Sequence, residues 1–414
     1  MNRDALTECL ECGLLQRNPA LPPGGTAVCV RCGNVLHRDR PDSLNRTLAL
    51  TIAGIVLFVI ANAFPFLAFE MRGQETQTTL MTGVMDLWRG GNVFIASVVF
   101  FTSVLAPGLQ LVLLLMVLVP LMLERVPPWL PRLFRWVRTL TPWGMMDVFM
   151  VGILVSVVKL SEMATMVPGA ALFAFGALIL VLAGAQSALD PDQVWSRVPL
   201  AQGGAKPPCA GDGHLTCDVC ELVMSRESAL WDGGHLRCPR CTDVLHARKP
   251  NSLQHTWALV VAAIAFYIPA NLLPIMTVTS LGQSQSDTIL SGVIFLFENG
   301  MWPLAVIVFI ASIFVPILKL LILLSLLLSV QFGWRWSPRE RTRLYRITEA
   351  IGRWSMVDIY VVTILVALVR LGNLASVQAE AGAVYFCAVV MLTMLAAMSF
   401  DSRLIWDGLE RKHV

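Results

Sequence analysis

Two stretches of this chain carry the same series of landmarks, a constant 209 residues apart from Cys29 to Asn62, and no other feature narrows its possible folds as much. The first copy reads Cys9/Cys12, Cys29/Cys32, Leu36-His37, Pro41-Asp42-Ser43-Leu44 and Ala61-Asn62. The second reads Cys217/Cys220, Cys238/Cys241, Leu245-His246, Pro250-Asn251-Ser252-Leu253 and Ala270-Asn271. The register continues downstream, with Gly83 matching Gly292 and Pro107 matching Pro316 at the same offset. After a two-residue insertion the offset becomes 211. It then matches Trp143-x-Met145-x-Asp147 with Trp354-x-Met356-x-Asp358, and Asp190 and Trp195 with Asp401 and Trp406. One unit, a cysteine module followed by apolar segments, occurs twice.

The apolar segments decide the class. Of 414 residues, 56% are hydrophobic and only 14% charged, and the mean hydropathy is +0.67. That is too little charge for a soluble chain of this length, so an α-helical polytopic membrane protein is expected. About 20 apolar residues cross a ~30 Å hydrocarbon core. Each unit offers four such spans: 47–69, 93–123, 144–165 and 169–189, then about 256–278, 302–330, 355–376 and 382–400. Pro107-Gly108 is expected to break the second span. The chain thus divides into ribbon 1 (1–46), a four-span domain (47–189), a linker (190–216), ribbon 2 (217–250), a second four-span domain (251–401) and a tail (402–414).

Loop charge orients these spans, because Lys and Arg near span ends stay on the cytoplasmic side. The loop 124–143 carries Arg125, Arg132, Arg135 and Arg138 against Glu124. The loop 331–354 carries Arg335, Arg339, Arg341, Arg343, Arg346 and Arg353, whereas 279–301 has no basic residue. The first 46 residues are polar and show no apolar signal-peptide core. Both ribbons and both termini are therefore expected in the cytoplasm. Four spans is an even number, so the two units insert in the same sense, as parallel repeats. Leu130, Leu133, Phe134 and Val137 recur at helical spacing with arginines between them, which suits a helix lying at lipid head groups or arginines that simply set topology.

The ribbons carry the most specific chemistry. Eight of ten cysteines form four Cys-x-x-Cys pairs, leaving Cys209 and Cys387 single. In a reducing compartment such spacing favours metal over disulfides. Two knuckles bring four thiolates to a tetrahedral Zn²⁺ site with Zn–S of about 2.3 Å. Cys9, Cys12, Cys29 and Cys32 form one candidate site, and Cys217, Cys220, Cys238 and Cys241 the other. A four-sulfur site is coordinatively closed, which makes its role structural; iron for electron transfer and thiol redox pairs are the competing chemistries. Gly13 and Gly33, directly after their pairs, fit the tight turn.

Ionisable groups at membrane depth are the next signal, since each costs at least ~2.5–3.5 kcal/mol to insert. Lys319 lies in the run 313–328, three residues after Pro316, where the first unit has Gln110. The third spans carry Asp147 and Lys159, and Asp358 and Arg370, twelve residues apart. That is about 18 Å of helix, so neither pair closes on itself. Glu162 is near enough to satisfy Lys159. Asn62 with Pro65, and Asn271 with Pro274, mark helix breaks that either line a ligand site or simply end the first spans. No Gly-x4-Gly-Lys-Ser/Thr, His-Glu-x-x-His or Ser/His/Asp constellation appears, so neither an enzyme nor a nucleic-acid partner is expected.

The paired ribbons, the four spans after each, and the Ala-Asn-x-x-Pro and Trp-x-Met-x-Asp landmarks resemble the paraquat-inducible protein A family (PqiA and LetA proteins). The resemblance covers essentially the whole chain. It implies tetraspanin-like four-helix units in a bacterial inner membrane. It further implies phospholipid transfer to or from a periplasmic MCE-domain partner that forms a tunnel. With no nucleotide site, the proton gradient or the lipid gradient would supply the energy, and Gln110 opposite Lys319 would make any charge relay asymmetric. A membrane redox protein with iron in its ribbons and a non-transporting scaffold for the MCE partner are the alternatives.

Overall fold

The computed structural model describes residues 6–18, 21–71, 74–160, 165–200, 214–280, 283–298, 300, 302–334, 336–368 and 375–410. Ribbon 1 is a pair of short antiparallel hairpins, β1 (Leu6–Glu8) with β2 (Leu15–Arg17) and β3 (Thr26–Val28) with β4 (Val35–Arg38). Each Cys-x-x-Cys pair sits in the turn of its hairpin. Helix α1 (Ser43–Ala63) follows. The apolar run expected to continue to residue 69 leaves the helix at Phe64, because Pro65 comes next and disfavours helix in the residue before it. Its remainder becomes β5 (Leu67–Met71), the centre of a sheet with β6 (Gln74–Thr78) and β7 (Thr165–Pro168).

Between these strands run α2 (Leu80–Arg89), α3 (93–122), α4 (Leu130–Leu140) and α5 (Met146–Leu160). After β7 come α6 (Ala170–Ala188) and α7 (Pro191–Arg197), the latter inside the stretch expected to be linker. Asp190 nucleates α7 by accepting the Asp192 amide at 3.0 Å. The second half repeats this order. Strands β8 (His214–Thr216), β9 (Val223–Ser225), β10 (Leu230–Asp232) and β11 (His235–Arg237) build ribbon 2. Then follow α8 (Ser252–Leu272), β12 (Met276–Ser280), β13 (Gln283–Asp287), α9 (Ile289–Glu298) and α10 (302–331). The half closes with α11 (Pro338–Gly352), α12 (Val357–Leu368), β14 (Ala375–Ala379), α13 (Ala381–Ser399) and α14 (Leu404–Glu410). Among the described residues, eight helical stretches are long and apolar enough to cross a membrane.

The repeated landmarks have repeated jobs. Ser43 Oγ donates to the Ala188 carbonyl and accepts the Asp190 amide, both at 2.7 Å, tying the start of α1 to the end of α6. Ser252 does the same between Ser399 and Asp401, at 2.8 and 2.9 Å. The prolines do not break α3 or α10. Each helix widens just before its proline into a π turn, Phe101–Leu105 and Ile310–Phe314, which makes room for the ring and the missing N–H. Ser103 and Ser312 donate to the carbonyls of Val99 and Val308 in these turns, at 2.5 and 2.6 Å.

The two halves meet through α5 and α12. Gly152 lets them approach: a Cβ there would lie 2.8 Å from the Tyr360 Cβ. Tyr360 is fully buried, packs its ring 5.1 Å from Phe149 and donates its hydroxyl to Thr102 Oγ1 at 2.7 Å.

Candidate functional site

The sulfur clusters assemble from local turn geometry. In every knuckle the amide of the residue after the second cysteine returns to the carbonyl of the first: Gly13 to Cys9, Gly33 to Cys29, Glu221 to Cys217 and Thr242 to Cys238, at 2.8–2.9 Å. That residue has positive φ each time, 72° and 71° at the two glycines but 56° and 61° at Glu221 and Thr242. Ribbon 2 therefore holds two side chains in the left-handed region that ribbon 1 leaves to glycine. The closest sulfur pairs are 3.5 and 3.6 Å apart in ribbon 1 and 3.4 and 3.5 Å in ribbon 2. These spacings are too long for disulfides and near the ~3.8 Å edge of a tetrahedral zinc-sulfur site. All four sulfurs of each set lie within 4.8 Å of one another. The donor sets fit a structural metal, whose chemistry is that of a cross-link.

The ribbons are exchanged between the halves. Ribbon 1 precedes α1, yet Cys9, Cys12 and Cys29 share an apolar cluster with Leu323, Tyr345, Phe400 and Trp406 of the second half. The Arg31 guanidinium lies 4.5 Å from the Trp406 ring centre, and Arg339 and Arg346 of α11 donate to Arg31 O and Cys32 Sγ. Reciprocally, the ribbon 2 cysteines pack with Leu114, Phe134 and Trp195 of the first half. Arg135 and Arg138 of α4 pair with Asp243 and Glu221, at 2.9 and 3.1 Å. Several of the loop arginines thus seat a ribbon. Each ribbon stays tied to its own half as well: His37 contacts Asp192, and Arg248 grips Asp407 with two hydrogen bonds of 2.8 and 3.1 Å. The two ribbons meet where Thr216 donates to Glu8.

Two cavities flank the seam between halves, at matching positions of the repeat. In the first half α2 closes onto α12, leaving about 30 Å³ lined by Phe66, Leu80, Gly83, Phe149 and Ala367. A Cβ on Gly83 would lie 3.2 Å from the Ala367 Cβ. In the second half α9 stands further off. A Cβ on Gly292 meets nothing within 4 Å, and the cavity there measures about 70 Å³. Its walls include Val155, Ile289, Leu296, Val308 and Leu365, with Asp287, Thr288, Ser312 and Asp358 as polar groups. The outer side of α9 is apolar too, with Leu290, Phe295 and Phe297 more than half exposed.

The structure scatters the charged candidates rather than joining them. Lys319 is 2% exposed, and its Nζ donates to Thr393 Oγ1 at 3.0 Å and to the Gly352 carbonyl at 3.3 Å. Its counterpart Gln110 is 3% exposed and lines a separate cavity of about 100 Å³ with Asp147, Gly144 and Gln186. Asp358 belongs to the seam cavity instead. Lys159 is next to last in α5, while Arg370 and Glu162 lie outside the described residues. Asn62 and Asn271 each donate to the carbonyl four residues earlier, Phe58 and Tyr267, at 2.8 and 2.9 Å. The Pro65 and Pro274 carbonyls abut Gly169 and Gly382, where a Cβ would come within 2.2 and 2.4 Å. The helix breaks are therefore close backbone contacts with the start of the fourth spans.

Sequence reasoning missed Thr393 and Gly352, the exchange of ribbons, and a difference at the two junctions. Asp401 is 3% exposed and held by Arg403 through bonds of 3.0 and 3.1 Å. Asp190, equally buried, faces Asp192 where the repeat places Arg403. Burial and then the Asp192 charge push the Asp190 carboxyl above the usual carboxylate range. Burial also acts on Asp401, but the hydrogen bonds and charge of Arg403 outweigh it and hold that carboxyl low. Aligning the two units position by position would have exposed the Asp192/Arg403 difference.

A family model described as paraquat-inducible protein A matches the chain twice, over residues 44–199 and 253–410, once for each four-span half. The chain belongs to the paraquat-inducible protein A family. Intermembrane transport protein PqiA of Escherichia coli (strain K12) is 32% identical over 408 residues, covering 96% of this chain and 95% of the relative. Lipophilic envelope-spanning tunnel protein A of the same strain is 32% identical over 403 residues, covering 97% and 91%. A probable intermembrane transport protein of Haemophilus influenzae is 31% identical over 423 residues, covering 98% and 97%. No solved structure matches the chain. Relatives named for transport, together with the eight apolar helices, make this family member a multi-pass membrane protein of the transport class.

Proposed function

We propose that the chain is the inner-membrane subunit of a lipid transport system. It passes phospholipid between the bilayer and a periplasmic MCE-domain tunnel protein, with ribbons and termini in the cytoplasm and zinc in both sulfur sites. The relatives' names, intermembrane transport protein and envelope-spanning tunnel protein, support this class of function. The observation that carries it is the apolar cavity at the seam, where α9 stands off and Asp287 and Asp358 are the acids in the wall. Acyl chains fill such a space by apolar burial, at about 25 cal/mol per Å², and a polar group in its wall offers a site for a head group or a proton. Lys319, Asp147, Asp358, Lys159 and Arg370 are the candidate charge-relay residues.

A photo-reactive side chain at Ile289, in the wall of the seam cavity, should cross-link phospholipid in cells. The same substitution at Leu80, which is equally buried at 7% and lines the closed cavity, should not. Equal labelling at both positions would remove the seam cavity as the lipid path. Within the same assay Lys319→Gln, which installs the first half's residue, should keep the label but lower transfer to the partner. Unchanged transfer by a normally folded variant would end the relay role of Lys319.

A further inference from the structure

Arg341 occupies the first turn of α11, where the repeat places Leu130 in α4. Leu130 is fully buried in the apolar cluster of the first half. Arg341 is almost as deeply buried, 4% exposed, but two of its guanidinium nitrogens, Nε and Nη2, have no hydrogen-bond partner. It takes part in none of the ion pairs among the described residues. A buried charge left without a partner costs several kcal/mol. The other inward groups of α11 are satisfied: Thr342 accepts the Trp406 indole N–H at 3.0 Å, and Tyr345 donates to the Ala397 carbonyl at 3.1 Å. Glu340, the neighbouring acid, is exposed and lies 3.8 Å from Arg343. Among the described residues the fold therefore supplies a guanidinium without an anion.

The approach to this position has a membrane-surface character. Phe332, Trp334 and Trp336, in the turn before α11, are 68%, 52% and 69% exposed. Exposed tryptophans beside the end of an apolar span mark the level of the lipid head groups. Nε and Nη2 share one edge of the guanidinium fork, the edge that takes two oxygens of a phosphate side by side.

We propose that Arg341 is the receptor for the phosphate of an anionic membrane phospholipid seated at the ribbon end of the second half. Seating it displaces the side chains closed over that edge, and the first half has no equivalent site because Leu130 completes its core. The proposal rests on the membrane placement of the bundle and not on the lipid path at the seam.

The test compares the full-length protein with R341L in detergent, adding phosphatidylglycerol, phosphatidylcholine or inorganic phosphate. Phosphatidylglycerol should raise the wild-type Tm by several degrees more than phosphatidylcholine does. In native mass spectra it should persist as a bound adduct that falls at least tenfold in R341L. Lipid-free R341L should be no less stable than wild type, since leucine already serves at the matching position. Equal responses of the two proteins overturn the proposal, as does a lipid-free R341L that melts earlier. A full shift from inorganic phosphate alone overturns the lipid source. Should R341L fail to fold, R341K serves instead: it keeps the charge but loses the fork, so adducts unchanged from wild type would overturn the bidentate site.

Discussion

The two halves share an element order but not a charge plan. The first half fills its inner positions with neutral groups, Gln110 and Leu130, whereas the second places Lys319 and Arg341 there. The first half closes α2 on the seam, and the second leaves α9 standing off a cavity. At the ends of the fourth spans the pattern reverses, with Asp401 of the second half neutralised by Arg403 while Asp190 of the first half faces Asp192. Within the bundle the buried cations Lys319 and Arg341 belong to the second half, while the first half keeps its like-charge contact at the junction.

The exchange of ribbons is where the comparison breaks most forcefully. Cys29→Ser removes one thiolate from ribbon 1, and a structural metal held by four thiolates, were it zinc as proposed, would be worth about 10–16 kcal/mol of apparent binding. Metal analysis should fall from two ions per chain to one. Because ribbon 1 packs on Tyr345 and Trp406, hydrogen exchange should rise in α11 and α14 of the second half and stay unchanged in α4. Faster exchange confined to α4 would show that each ribbon serves its own half.

A smaller effect separates the junctions. Arg403→Ala leaves buried Asp401 unpaired and should cost about 3–5 kcal/mol, while Asp192→Ala, at a half-exposed side chain, should cost about 1 kcal/mol or less. Their pH signs are opposite. The depressed Asp401 carboxyl contributes stability that is present above its unfolded pKa of about 3.9 and is lost as pH falls through its lower folded value. The raised Asp190 carboxyl contributes stability that is present below about 3.9 and is lost as pH rises through its folded value. Asp190→Asn should therefore leave stability at neutral pH intact or improved, whereas Asp401→Asn should lower it. Thermal melts across that range decide whether the two junctions differ as described.

The smallest effect lies at the matched glycines of α2 and α9. Gly292→Ala meets open space and should add about 0.5–1 kcal/mol of helix stability. Gly83→Ala pushes against Ala367 and should lose about 1 kcal/mol net. Equal shifts in unfolding would mean that the seam is as loose on one side as on the other.

Much of this molecule was legible in the chain. The duplication, the apolar spans and the two four-cysteine sets follow from spacing alone, because helical periodicity, span length and knuckle geometry are local properties. Span ends were less legible: the apolar residues 64–69 and 273–278 read as helix but leave it, since hydropathy does not distinguish a buried helix from a strand. Pro107 read as a break, yet a π turn absorbs it, as another absorbs Pro316. Which ribbon docks on which half was beyond reach, because both share one motif and both docking surfaces derive from one ancestor unit. Whether Arg341 marks topology or sits buried without a partner was equally hidden, for burial is set by elements distant in sequence. The sequence alone thus determined what is built twice, since repetition and periodicity are written along the chain. Only the tertiary structure decided where the copies diverge, since an uncompensated charge or an open cavity exists only once the surrounding surfaces have come together.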